Sequence, residues 1–145
     1  MKNGIAYGFF DCKASKEEIE AELPTIRDLT ETPSKLELTL MEGIDGLKGD
    51  SKLRAAYEKA KSNIIFSSSM SFLERIEKRQ EIEGSNLRYI IKATLPNETG
   101  KRTADELTGI LSQAYQSPLY EEEEYFRGSV FYEENGEYVS REQIK

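Results

Sequence analysis

Residues 87–115 read LRYIIKATLPNETGKRTADELTGILSQAY and carry two hydrophobic periods, one after the other. In the first part, apolar side chains occupy every second position from Leu87 to Leu95, with Arg88 and Lys92 between them. A period of two places these two sets on opposite faces of a β-strand. Pro96 then ends the predicted strand, because proline has no N–H to donate to a sheet.

The second part of this stretch predicts a short polar loop and an amphipathic helix. The loop, Asn97–Arg102, contains a glycine and precedes Thr103 and Glu106, which have the spacing of a capping box. Apolar residues then recur at the spacing of one helical face until Ser117 and Pro118 end the pattern. The residues of this face are Leu107, Ile110, Leu111, Ala114 and Tyr115.

The N-terminus follows the same plan of strand, loop and capped helix. Ile5–Phe10 is almost entirely apolar, which is typical of a strand buried on both faces. The loop Asp11–Ala14 leads to a second capping-box spacing at Ser15 and Glu18. We expect Pro24 to divide the following helix into two pieces, because an interior proline removes a backbone hydrogen bond.

Three further elements are predicted between these two units. Leu36–Leu40 alternates between apolar and polar residues, as a strand at or near a sheet edge does. A helix capped by Asp50 or Ser51 follows, with Leu53, Tyr57, Ala60 and Ile64 on one face, and its pattern allows a continuation through Ile65 and Phe66. Ser71–Glu83 fits two structures, a helix by propensity and a charged strand by the even spacing of its apolar residues. We favour the helix.

The C-terminal part predicts a β-hairpin. Tyr125–Glu133 has a strand pattern, and the dipeptide Asn135-Gly136 favours a type I′ turn, which needs positive φ at both central residues. A two-residue turn at this point pairs Tyr132 with Val139 across the hairpin.

The order of these elements predicts an α+β fold in a single domain of 145 residues. We expect a ferredoxin-like split βαβ core, with a helical or hairpin insertion at about residues 43–86 and the β-hairpin at the C-terminus. In this arrangement we expect the strands Ile5–Phe10 and Leu87–Leu95 to lie side by side and parallel at the centre of the sheet.

Composition and charge exclude several classes of function. The formal net charge is −7 and the sequence pI is about 4.8, which opposes general binding to nucleic-acid phosphates. The sequence shows neither a signal-peptide pattern nor a long apolar run, and a single cysteine forms no internal disulfide. We therefore expect a cytoplasmic protein without a membrane role.

The missing residue types restrict the chemistry further. The chain has no histidine, so a Ser-His-Asp triad, a Cys-His pair and an HExxH zinc site are excluded. Catalysis would depend on carboxylates such as Asp11 or Glu98 beside a lysine. We predict neither a metal site nor a cofactor.

The two helix-leading loops suggest a binding site for a small anion such as phosphate or a carboxylate. If the two strands are parallel, both loops lie at one edge of the sheet, where helix N-termini present free N–H groups. The residues predicted to converge there are Cys12, Lys13, Ser15, Lys101, Arg102 and Thr103. Cys12 precedes a helix, which lowers a thiol pKa, but a buried structural thiol is the more common case.

Three functions follow as hypotheses, in decreasing order of preference. The first is a non-catalytic domain that binds a protein partner or a second copy of itself. The second is a sensor or regulatory domain that binds an anion at the two loops. The third is an enzyme that uses carboxylate and lysine chemistry without histidine.

Overall fold

The computed structural model describes residues 3–29, 35–43, 47, 49–121 and 123–141. These residues form a mixed α+β structure with six strands and four α-helices. The strands are β1 (Gly4–Asp11), β2 (Glu37–Glu42), β3 (Ile64–Phe66), β4 (Tyr89–Leu95), β5 (Tyr125–Glu134) and β6 (Glu137–Ser140). The helices are α1 (Lys16–Asp28), α2 (Ser51–Lys61), α3 (Phe72–Ile82) and α4 (Gly100–Tyr115).

The sheet has the strand order β2-β4-β1-β5-β3, and β6 also pairs with β5. The strand β1 is central, as its continuous apolar sequence predicted, and β2 lies at an edge, as its alternation predicted. β1 and β4 are neighbours, but the predicted parallel pairing is wrong, because Gly4 is opposite Leu95 and Phe10 is opposite Tyr89. All neighbouring strand pairs in this sheet are antiparallel.

Helices pack on both faces of the sheet because the strands alternate their side chains between the faces. Ala6 and Phe10 of β1 belong to the core under α1 and α4, whereas Phe9 belongs to a second core under α2. The same alternation separates Ile91 from Ile90 in β4. The chain therefore has two buried layers, one on each side of a sheet whose centre is covered on both faces.

Helix α4 begins earlier than the sequence predicted. Thr99 is its N-cap, since its hydroxyl accepts a hydrogen bond from Arg102 N at 3.1 Å. Thr103 lies inside the helix and its hydroxyl donates to Thr99 O at 3.0 Å, so the predicted capping box at Thr103 and Glu106 is wrong. Thr99 and Thr103 are both suitable N-cap residues. Thr103 packs closely against Gly4 of β1 as part of the helix, so Thr99 is the N-cap. A Cβ at Gly4 would lie 2.3 Å from Thr103 Oγ1.

Helix α1 is continuous from Lys16 to Asp28, so the predicted break at Pro24 is wrong. Pro24 is exposed, whereas Ile19 on one side of it and Ile26 on the other are both buried against the sheet. Burial of apolar side chains on both sides of the proline offsets the lost hydrogen bond, which costs about 3 kcal/mol. The predicted capping box of Ser15 at the start of this helix is confirmed.

Two other local predictions are confirmed. Ser71 caps α3 and forms a capping box with Glu74, so the segment that fitted either a helix or a strand is a helix. Asn135 and Gly136 have φ values of 53° and 81°, and the hairpin pairs Tyr132 with Val139.

The segment between β2 and β4 contains α2, β3 and α3, and the strand β3 was not predicted from the sequence. Helix α2 ends at Lys61 and does not continue to Phe66. Ile64–Phe66 forms the short strand β3, which pairs with the start of β5 and lies at the edge of the sheet.

Candidate functional site

The six residues predicted to bind an anion do not come together. Cys12, Lys13 and Ser15 follow the end of β1, whereas Lys101, Arg102 and Thr103 lie in the first turn of α4, after the end of β4. Since β1 and β4 are antiparallel, their C-terminal ends lie at opposite ends of the paired strands. For a pairing of this length the two ends are about 20 Å apart. The prediction that the two loops form one site is therefore wrong, because it assumed parallel strands.

The first loop is already occupied by hydrogen bonds from its own chain. The Lys13 backbone N–H donates to Glu123 Oε1 at 3.0 Å, and the Ser15 N–H donates to Glu18 Oε1 at 3.2 Å. A small depression beside this loop is lined by Lys13 and by three carboxylates, those of Glu18, Glu121 and Glu123. The acidic side chains there oppose the approach of an anion, and anion binding at these residues stays a prediction without support from their contacts.

The second loop has a similar environment. Arg102 Nη2 lies 2.8 Å from Glu106 Oε1, and its Nε lies 3.9 Å from Glu98 Oε2, so its charge is used within the chain. Thr103 is fully buried. A cavity of about 570 Å³ adjoins Gly100 and is lined by the carboxylates Glu98 and Glu133 among other polar groups. Such a lining is more suited to neutral or cationic groups than to an anion.

Cys12 is a buried thiol in a loop that the core holds in place. The carbonyls of Asp11 and Cys12 accept hydrogen bonds from Tyr120 Oη at 3.2 Å and Arg88 Nη1 at 2.8 Å, and the Ala14 carbonyl accepts one from Tyr89. Burial raises the pKa of the Cys12 thiol from 9.0 to about 11. The thiol is therefore protonated at neutral pH and has the character of a small core side chain.

We expect Cys12 to react slowly with iodoacetamide at pH 8 in the folded protein. The raised pKa lowers the thiolate fraction about 100-fold, and the greater nucleophilicity of a more basic thiolate recovers about half of this loss on a logarithmic scale. Alkylation, followed by mass spectrometry, should be at least about tenfold slower than in guanidinium chloride. Equal rates in the two conditions would contradict the buried, protonated thiol.

The buried Arg127 is paired with the partly exposed Asp11, a contact that the sequence did not reveal. Arg127 Nη1 lies 4.0 Å from Asp11 Oδ2, and only 1% of Arg127 is exposed. Burial raises the pKa of the Asp11 carboxyl, while Arg127 and Arg88 partly counteract this effect. Arg127 also donates to Lys61 O at 2.9 Å and to Ser85 Oγ at 2.8 Å. These hydrogen bonds hold separate segments of the chain together, which is a structural role. The described residues contain no group of acidic, cysteine or histidine side chains able to hold a metal ion.

A different part of the molecule has an apolar surface with no partner in the chain. Phe72, Leu73 and Ile76 of α3 are 76%, 71% and 40% exposed, and they are three of the five large hydrophobic side chains that are exposed among the described residues. Ile82 is the buried residue of this helix. Most of the apolar surface of α3 is therefore directed away from the core.

This surface continues onto the strand β3. A groove of about 470 Å³ runs between β3 and α3, and it is lined by Ile64, Ile65, Phe66, Phe72, Arg75, Ile76 and Arg79. We call this set the α3–β3 groove. The Arg79 guanidinium lies 5.6 Å from the centre of the Phe66 ring, which joins the helix to the strand.

The sequence prediction included only one side of this groove. The helix α3 and its apolar residues were predicted, but the strand β3 was not, since the pattern of α2 allowed a continuation through it. The consecutive residues Ile64, Ile65 and Phe66, followed by three serines, were the available signal, since β-branched and aromatic residues favour strands. A run of three residues is too short to show a period of two or of 3.6.

Comparison of this chain with protein-family models, with curated proteins and with solved structures found no match. None of the helices in the described part of the chain is long and apolar enough to cross a membrane.

Proposed function

We propose that this protein is a non-catalytic α+β domain that binds another protein through the α3–β3 groove. The observation that carries this proposal is the exposure of Phe72, Leu73 and Ile76 on one helix, next to an apolar edge strand. Large apolar side chains scattered singly on a surface need no explanation, whereas a contiguous cluster of them marks an interaction site.

The energetics of α3 support the same function. The helix has eleven residues, and an isolated helix shorter than about 12–15 residues is marginal in water. Most helices gain their stability from packing of an apolar face, but α3 packs few of its apolar residues on its own chain. Burying a side chain such as Phe72 or Ile76 against a partner contributes about 1.5–3 kcal/mol each. A partner thus supplies the burial that the chain does not.

The proposed architecture gives this groove a separate origin from the core. We propose that β1, α1, β2, β4, α4 and β5 form a ferredoxin-like split βαβ core, because the strand order β2-β4-β1-β5 interleaves two βαβ units. The antiparallel pairs make β1 parallel to β2 and β4 parallel to β5, each time with one antiparallel strand between them, so the expectation of parallel neighbours at the centre was not a requirement of this core. In this interpretation α2, β3 and α3 are the insertion. The groove then lies on the inserted segment, where it can vary without changing the core.

The double variant Phe72→Ser/Ile76→Ser tests this function. Peptides selected from an unbiased displayed library against the folded protein should shift the amide resonances of β3 and α3 in NMR spectra. We expect the double variant to bind them about 100-fold more weakly, because two apolar anchors are lost, while its unfolding free energy changes by less than about 1 kcal/mol.

The matched control is Leu29→Ser, which removes an apolar side chain that is 66% exposed at the end of α1. This variant should bind the selected peptides as the wild type does. Selected peptides that shift only resonances outside β3 and α3, or that bind the double variant unchanged, would refute the proposal. Sedimentation equilibrium of the same variants shows whether the bound protein is a second copy of this chain.

A further inference from the structure

We infer that the α3–β3 groove binds an extended segment of another protein that carries acidic and apolar side chains and pairs with β3 as an added strand. This inference rests on the proposed function and names the chemistry and conformation of the partner. Three features of the groove lead to it: the free backbone edge of β3, the apolar wall of α3 and the charge of the two arginines.

The backbone of β3 has one free edge. On its paired side, Ser67 N donates to Glu124 O at 2.9 Å and Gly128 N donates to Asn63 O at 2.9 Å. In an antiparallel pair the hydrogen-bonded residues alternate, so Ile65 also faces β5, and Ile64 and Phe66 direct their N–H and C=O groups away from it. No backbone hydrogen bond joins Ile64 or Phe66 to another segment within the described residues. These groups are available to a strand from outside.

The described residues contain three edge strands, β2, β3 and β6, and these differ in how they are protected. The strand β2 begins with Glu37 and ends with Glu42, and β6 begins with Glu137. Charged side chains on an edge strand discourage pairing with other chains. The strand β3 consists of two isoleucines and a phenylalanine and has no charged residue. Its short length limits unspecific pairing, but its composition does not oppose a partner strand. The edge suited to strand addition is therefore β3.

The wall of the groove offers contacts for the side chains of such a strand. Phe72 and Ile76 are one helical turn apart on α3 and face the groove together with the side chains of β3. Apolar residues of an added strand would cover them, and the main-chain hydrogen bonds to Ile64 and Phe66 would fix its register. This combination of a strand edge and a helix wall is a general mode of peptide recognition.

The charge of the groove selects acidic partners. The charged residues that line it are Arg75 and Arg79, although the chain has a net charge of −7. Neither arginine forms an ion pair with a described residue, whereas Lys78 on the same helix lies 3.7 Å from Glu81. Arg75 Nη2 donates to Ser67 O at only 3.4 Å, and its buried Nε has no hydrogen-bond partner within the described part of the chain. Both guanidinium groups thus lack a carboxylate partner in the described residues, and acidic side chains of a ligand would supply one.

The distribution of charge on α3 also argues against a second copy of this chain as the partner. Glu74, Glu77 and Glu81 recur at the spacing of the opposite helical face, away from Arg75 and Arg79. A two-fold contact between two grooves would bring the arginines of both copies together, without the glutamates that could neutralise them. It would also join two chains of net charge −7.

The test uses synthetic fluorescent peptides and the full chain. One short peptide alternates Glu with Ile or Val, a second has Lys in place of Glu, and a third is the acidic peptide with N-methylated amides. Fluorescence anisotropy should show binding of the acidic peptide at least about tenfold tighter than that of the other two, and weaker binding at high salt. Hydrogen exchange of the Ile64 and Phe66 amides should slow when the acidic peptide is bound.

The variant Arg75→Glu/Arg79→Glu should reverse the preference between the Glu and Lys peptides. The control Glu77→Arg changes one charge on the opposite face of the same helix and should leave the preference unchanged. Equal binding of the Glu and Lys peptides would overturn the inference on charge while the proposed function remains. Peptide binding without slower hydrogen exchange at Ile64 and Phe66 would overturn the inference that the partner pairs with β3 as an added strand. Binding of a second copy of this chain at the groove would overturn it as well. If none of the peptides and no library-selected peptide binds at the groove, the proposed function fails as well.

Discussion

Gly128→Ala is expected to prevent stable folding, with a loss of more than about 4 kcal/mol in the free energy of unfolding. Gly128 lies within β5 with φ of 147°, a backbone conformation that residues with a side chain rarely adopt. A Cβ at this position would lie 2.0 Å from Phe9 O and 2.8 Å from Phe10 Cα. Both atoms belong to the backbone of the central strand β1, so neither can move aside without opening the β1–β5 pair.

Circular dichroism and urea unfolding measure this loss, and Gly109→Ala is the matched control. Gly109 lies in the middle of α4, and a Cβ there would meet no atom within 4 Å. The same substitution should stabilise the protein at this position by about 0.4–1 kcal/mol, because alanine restricts the unfolded chain and favours a helix. A Gly128→Ala protein with the stability of the wild type would show that β1 and β5 are not packed as described.

Arg127→Met is expected to lower the free energy of unfolding by about 3–5 kcal/mol. The buried guanidinium donates to Lys61 O at the end of α2 and to the carbonyl and hydroxyl of Ser85 before β4. Methionine fills a similar volume but donates none of these hydrogen bonds. The substitution removes three hydrogen bonds of a buried side chain to partly buried acceptors, and it leaves the Asp11 carboxylate without its nearest cation.

Denaturant unfolding again measures the effect, and Arg54→Met is the control for the loss of a surface arginine. The side chains of Arg54 and of its ion-pair partner Glu58 are both 49% exposed, so the loss of this arginine should cost less than about 1 kcal/mol. Similar losses for the two variants would show that the contacts of Arg127 contribute no more than a surface ion pair.

Gly128 and Arg127 also hold the segment that carries the α3–β3 groove. Asn63, which precedes β3, accepts a hydrogen bond from Gly128 N and donates one from Nδ2 to Gly128 O at 2.7 Å. Arg127 holds the end of α2 and the connection after α3. Two neighbouring residues of β5 thus attach both ends of the β3 and α3 region to the sheet, and this attachment keeps the groove in one geometry.

The sequence predicted the residues of the groove unevenly, for physical reasons. The helix α3 was predictable, because Ser71 and Glu74 form a cap through contacts three residues apart. The strand β3 was not, because its pairing with Tyr125–Arg127 joins residues about sixty positions apart in the sequence. The buried role of Arg127 was equally hidden, since its hydrogen-bond partners are distant in the chain.

By itself, the sequence determined the features that depend on neighbouring residues. These are the apolar central strand β1, the capping boxes at Ser15 and Ser71, and the turn at Asn135 and Gly136. Each depends on side-chain spacing or on backbone conformations that a few adjacent residues decide.

Only the tertiary structure decided how these elements were arranged and extended. The antiparallel pairing of β1 and β4 separated the two loops predicted to form an anion site. Burial of Ile19 and Ile26 kept α1 continuous through Pro24, and pairing with β5 made a strand of Ile64–Phe66. These outcomes depend on contacts between distant residues, whose burial and hydrogen bonding outweigh local preferences of about 1–3 kcal/mol.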